Sequence, residues 1–169
     1  MKTNPFTGSW TYRSLLNDSN LATPFNDLEF GRGTIVINGT DFELLTGTIG
    51  GPGWSLELHG SRAYGSPMQL RFQGKGVVGG EEWIYDYIGW LVPIWPNSNS
   101  ELHIDGIVGS VTRTIPHSDS SGGTAPAGVV ASFFAPGPTS SAPRPTTWST
   151  LRSSLTRRPT PSAGCRSRR

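Results

Sequence analysis

Apolar and polar residues alternate with a period of two along most of the first 134 residues, and each alternating run stops at Gly, Pro, Asn or Asp. Successive side chains of a strand point to opposite faces, so this pattern predicts half-buried strands separated by turns. Eight strands are predicted, near residues 8–14, 28–37 with a bend at 31–33, 42–49, 53–60, 67–76, 83–92, 102–115 and 127–135. Trp54, Leu56 and Leu58 alternate with Ser55, Glu57 and His59, and Met68, Leu70 and Phe72 alternate with Gln69, Arg71 and Gln73, which gives one dry face and one wet face. No 12-residue segment repeats apolar positions at helical spacing, so helix content is expected to be minimal.

The run 83–92 differs. Trp83, Tyr85, Tyr87 and Leu91 share one parity, and Ile84, Ile88, Trp90 and Val92 share the other, so both faces are largely apolar. Such a strand is covered on both sides, by a loop, by its own core or by a second subunit, and Ile88 and Trp90 are the candidate residues of a homo-oligomer contact. Eight short sequential strands remove their edges by closing into an antiparallel up-and-down barrel, whose interior is filled or holds one small ligand. A β-sandwich is the alternative. Gly47, Gly74, Gly89 and Gly109, inside predicted strands, favour the barrel because tight coiling suits residues without a Cβ.

Charge divides the chain. Residues 1–134 carry 7 Lys and Arg against 12 Asp and Glu, a net of −5, whereas residues 135–169 carry 7 Arg and no acid, a net of +7. The tail has 6 Pro, many Ser and Thr, and few large apolar residues beyond Trp148, Leu151 and Leu155, so it is expected to be disordered rather than to build a core. Its composition also matches out-of-frame reading of GC-rich DNA. The competing reading is an Arg-rich arm for polyanions, but nucleic-acid binding is not the leading expectation. No apolar stretch approaches the roughly 20 residues of a membrane-spanning helix, no export signal is visible, and the single Cys165 forms no internal disulfide, which together suggest a cytoplasmic protein.

Gly8-Ser9-Trp10 opens the first strand as G-x-W, and Arg113 lies on a late strand within Val111-Thr112-Arg113-Thr114. These residues resemble the calycin superfamily of barrels, which includes lipocalins, fatty-acid-binding proteins and avidins; Leu45-Thr46-Gly47-Thr48 is similar to a stretch of avidins. The resemblance implies that Trp10 closes one barrel end and that Arg113 packs across its ring, a cation–π contact of about 0.5–2 kcal/mol. It departs from the lipocalin pattern in having another strand after Arg113. Thr11, Tyr12 and Arg13 do not reproduce the avidin biotin pattern, so biotin binding is not implied.

His59, His103 and His117 show no metal-ligand spacing, and no phosphate-loop or dinucleotide fingerprint occurs, so neither metal nor cofactor is expected. His59 and His117 read as solvated, the latter following Pro116 in a Ser/Gly-rich loop. Gly50-Gly51-Pro52-Gly53 and Gly79-Gly80 read as turns. The richest segment is Glu82-Trp83-Ile84-Tyr85-Asp86-Tyr87. Trp83, Tyr85 and Tyr87, with Asp86 and Trp54, are the candidate ligand-binding residues, because aromatic walls with hydroxyl tips suit a flat, partly apolar ligand. Asp86, if it faces the interior, is a candidate catalytic carboxylate paired with Arg113. The proline-rich run 91–97 reads as a stiff turn or a lid. The leading expectation is thus a small-ligand binding or accessory barrel. The alternatives are a cofactor-independent isomerase or cyclase using Asp86, and a structural or oligomerising module with a filled interior.

Overall fold

The computed structural model describes residues 4–39, 44–94, 104–119 and 121–137. The predicted starts at 42 and 102, part of the 91–97 run, His103 and the tail beyond residue 137 lie outside them. Among the described residues ten strands form: β1 (Gly8–Leu16), β2 (Glu29–Ile37), β3 (Leu44–Gly51), β4 (Trp54–Ala63), β5 (Gln69–Val78), β6 (Glu81–Val92), β7 (Gly106–Arg113), β8 (His117–Ser118), β9 (Thr124–Ala125) and β10 (Val130–Pro136). The only helical turn among the described residues is a 3-10 segment, Phe25–Leu28.

Eight strands close an antiparallel up-and-down barrel in the order β1-β10-β7-β6-β5-β4-β3-β2, while β8 and β9 pair with each other in the β7–β10 connection. The barrel, not the sandwich, is therefore the fold. The last barrel strand runs to Pro136, one residue past its predicted end at 135: Ala135 is fully buried and pairs with Ile107, and the Gly137 N–H donates to the Asp105 carbonyl at 2.8 Å.

Turn chemistry fixes the register. Gly79 and Gly80 both have positive φ, +61° and +88°, the pair of left-handed residues that a two-residue type I′ hairpin requires. The turn pairs Val78 with Glu81, and the same register carries through to Phe72 with Tyr87 and Gln73 with Asp86. Coiling demands glycine elsewhere: a Cβ on Gly109, which lies opposite Gly89, would stand 2.0 Å from the Ile88 carbonyl oxygen.

The two barrel ends differ. At one end Phe6 and Trp10 are buried, the indole N–H donates to the Phe6 carbonyl at 2.8 Å, and Gly137 lies against the indole face. The middle is packed with aromatic rings: Tyr87 stacks on Phe72 at 4.6 Å, and Tyr12 and Phe133 meet both each other and Tyr87 within about 6 Å. Toward the other end, to which the β3–β4 and β5–β6 hairpins and the 114–129 connection all turn, the core gives way to the half-buried Phe30, Trp54, Val78 and Trp83.

Candidate functional site

At that second end lies a cavity of about 210 Å³. Tyr12, Tyr87 and Leu56 are its buried parts, and the half-buried Phe30, Trp54 and Trp83, with the buried Tyr85 and the Gly31 backbone, complete its walls. Four of the five candidate ligand residues, Trp54, Trp83, Tyr85 and Tyr87, are thus brought together from two strands. Sequence reasoning missed Tyr12 and Phe30.

Phe30 reaches the cavity through a β-bulge. Ser14 pairs with Gly31, yet Leu15 pairs with Glu29, leaving Phe30 as the extra residue. The extra residue reverses the side-chain parity of β2 at this point, as bulges do. Glu29 therefore stays outside, 3.2 Å from Arg13 and 2.6 Å from Arg32, while the Phe30 ring stands edge-on to Tyr85 at 6.0 Å.

Asp86 is the fifth candidate, and it is on the other side of the wall. It is exposed on the outer face, where it accepts a hydrogen bond from the Gln73 side-chain amide at 2.9 Å. The interior carboxylate and its pairing with Arg113 do not form, because residues 86 and 113 project from opposite faces of the β6–β7 ladder, in which Tyr85 rather than Asp86 is opposite Arg113. Ile88 and Trp90 share the outer face with Asp86. Trp90 is opposite Val108, and Val108 is opposite Phe134, making a cross-strand apolar row in which Val108 and Phe134 are each 40% exposed.

Arg113 also departs from the expected contact with Trp10. β7 begins near Trp10, at Gly106, and ends at Arg113 seven residues later, which puts the two at opposite barrel ends. The Arg113 guanidinium instead stands 4.9 Å over the Phe30 ring and 5.9 Å over that of Tyr85. Its Nε donates to Tyr85 Oη at 3.3 Å and its Nη1 to the Pro126 carbonyl at 3.1 Å.

His117, expected in solvent, is 8% exposed. The β8–β9 hairpin folds back over the rim and is latched there by Glu81, whose carboxylate accepts bonds from the Ser118 N–H and Oγ, each at 2.7 Å. These bonds hold the Glu81 carboxyl below its usual range, with a smaller contribution from His117. The imidazole stacks on Trp83 at 4.0 Å and 16°, and its Nε2 lies 2.6 Å from Tyr85 Oη. Its Nδ1 lies 2.8 Å from the Ser118 carbonyl. A carbonyl only accepts, so Nδ1 carries the hydrogen, and in the neutral ring Nε2 accepts the Tyr85 proton.

Burial pushes the Tyr12 hydroxyl up to about 12, partly offset by the Ser14 and Tyr87 hydroxyls, and pushes Tyr87 well above the ordinary phenol range. Both are therefore neutral, weakly polar surfaces at neutral pH. No cluster of three His, Cys, Asp or Glu among the described residues could hold a metal ion, and no described helix is long and apolar enough to cross a membrane. Compared with known proteins, the chain matches no family model, no curated protein and no solved structure.

Proposed function

We propose that this protein is a calycin-like binding barrel for one small, flat, partly apolar ligand held at the open barrel end. The observation that carries the reading is the cavity of about 210 Å³ with aromatic walls. An apolar cavity of about 150 Å³ can take a benzene ring, whereas drug-sized ligands occupy about 300 Å³ or more, so the size suits one substituted ring or a compact bicycle. The void gives a filled structural module less support, and the outward Asp86 gives a catalyst built on that carboxylate less support. The row of Trp90, Val108 and Phe134 favours a self-contact beside the binding role; sedimentation of Trp90→Arg against the parent tests it.

The binding test uses 4-nitrotoluene, a nitroaromatic that quenches nearby tryptophans such as Trp54 and Trp83. Gly31→Leu supplies the control: a Cβ there would meet Ser14 Oγ at 3.4 Å and a Tyr12 ring carbon at 3.8 Å, ordinary contacts, so the side chain grows into the void without displacing backbone. Saturable quenching by 4-nitrotoluene that Gly31→Leu weakens at least about tenfold is expected. Non-saturable quenching, or equal binding by the filled variant, would refute the cavity as a binding site.

A further inference from the structure

The hydrogen-bond sense of the rim has a chemical consequence. A phenol has one proton to give and about two acceptor sites. With the His117 ring neutral, Tyr85 gives its proton to Nε2 and accepts one from Arg113 Nε. It has an acceptor site left and no donor, so toward a ligand it behaves as a base rather than as the usual tyrosine donor.

Resting on the binding reading above, we propose that Tyr85 and His117 together form the proton-accepting group of this cavity, and that its ligands are small planar compounds bearing a weakly acidic O–H, phenols or enols. In the transfer, the ligand O–H bond breaks and its proton bonds to Tyr85 Oη. The Tyr85 O–H bond breaks in the same motion, and that proton bonds to His117 Nε2. The ligand oxygen keeps the electron pair as an anion, Tyr85 ends neutral, and His117 ends as imidazolium.

The surroundings suit both charges. The Arg113 guanidinium, tied by Tyr85 and the Pro126 carbonyl and without a carboxylate within 4 Å among the described residues, faces the anion. The imidazolium lies flat on Trp83, where a cation gains from the ring's quadrupole, and its Nδ1–H is held by the Ser118 carbonyl. The carboxylates of Glu81 and Asp119, both electrostatically coupled to His117, are the acidic groups on its side, from the β5–β6 hairpin and the β8–β9 turn. Arg113 is the opposing cation, reached through Tyr85, while the tyrosines below, Tyr12 and Tyr87, stay neutral.

The experiment compares 4-nitrophenol with 4-nitrotoluene, nearly equal in shape, on the full chain. Burial alone disfavours the charged form and drives a bound phenol toward neutrality. The proposal demands the reverse: at the pH where the free probe is half ionised, absorbance of the bound probe shows a phenolate-to-phenol ratio raised about tenfold. 4-Nitrophenol also binds about tenfold more tightly than 4-nitrotoluene. Tyr85→Phe and His117→Gln should each abolish the phenolate enrichment. Bound 4-nitrophenol in its neutral form, or equal affinities for the two probes, overturns the proposal and leaves the binding cavity standing. Failure of both probes to bind overturns the cavity reading and this one with it. Because the wild-type spectrum alone decides, the proposal stays falsifiable even where a variant fails to fold.

Discussion

Truncating Leu56 to Ala separates a cavity that can be enlarged from a core that collapses. Leu56 is 1% exposed and forms part of the void's lining. Removing three carbon groups forfeits about 2.4 kcal/mol of transfer free energy at about 0.8 kcal/mol each. Collapse is obstructed on the β5 side, where the neighbours across the ladder are glycines; on the β3 side Leu56 is opposite the buried Ile49. The Leu56 methyl carbons lie about where side chains of Gly74 and Gly76 would be, 3.3 and 3.1 Å from their ideal Cβ positions. Nothing there can swing into the gap, so a void of roughly 80 Å³ adds about 2 kcal/mol at about 24 cal/mol per Å³. The total is about 2.5–4.5 kcal/mol, the lower figure applying if water enters the new space freely. For a domain of this size that lowers Tm by about 10–15 °C. Urea and thermal unfolding measure the loss, and a bicyclic ligand such as indole measures the recovery, which at a hundredfold excess over Kd is about 2.7 kcal/mol. A loss below about 1 kcal/mol would refute the reasoning.

Two further outcomes follow from titrating groups. Tyr12 is held neutral to about pH 12 when folded, while an unfolded tyrosine ionises near pH 10, so above pH 10 the unfolded chain releases a proton that the folded chain keeps. Stability therefore falls between about pH 10 and 12 by about 3 kcal/mol from this group, with Tyr87 acting in the same direction; urea midpoints across that range should lose part of their slope in Tyr12→Phe, and an unchanged slope would contradict the assignment. Glu81, whose carboxyl is held low by its Ser118 bonds, keeps the hairpin latched at neutral pH and releases it as pH falls through that lowered value. Glu81→Ala should therefore raise amide hydrogen exchange at Ser118 at pH 7, and unchanged protection would show that the hairpin is held by other contacts.

The strands and dry faces were legible because burial imposes a period of two on β4 and β5, where Leu56, Leu58, Leu70 and Phe72 all point inward as their alternation predicts. The bulge at Phe30 was not legible. The expected bend at 31–33 sits beside it, but a single extra residue leaves the local composition of Glu29-Phe30-Gly31 unchanged while reversing which side chain faces in. His117 was misread for a related reason: Pro116 and the Ser/Gly-rich stretch after it describe a loop correctly, but nothing local states that the loop folds back over the rim and lays its imidazole on Trp83.

Asp86 is different, because a usable signal was present. β6 is apolar on both faces, so its own alternation cannot say which is inside. Its neighbour can. The Gly79-Gly80 pair signals a two-residue hairpin, and such a turn makes 78 and 81 partners, which forces 72 opposite 87 and 73 opposite 86. Phe72 belongs to the dry face of β5 by clean alternation, so Tyr87 and Tyr85 must be interior and Asp86 must lie outside beside Gln73, as the 2.9 Å bond between them shows. On the other side of β6, in its ladder with β7, Tyr85 is opposite Arg113, which brings the base-like tyrosine and its guanidinium to one rim. The inward facing of Tyr85 and Tyr87 thus follows from a turn of two glycines at the head of the β5–β6 hairpin. Inserting one residue between Gly79 and Gly80 would offer each strand the opposite parity of its neighbour, and the dry face of β5 could then be kept only by a new bulge or by loss of the site.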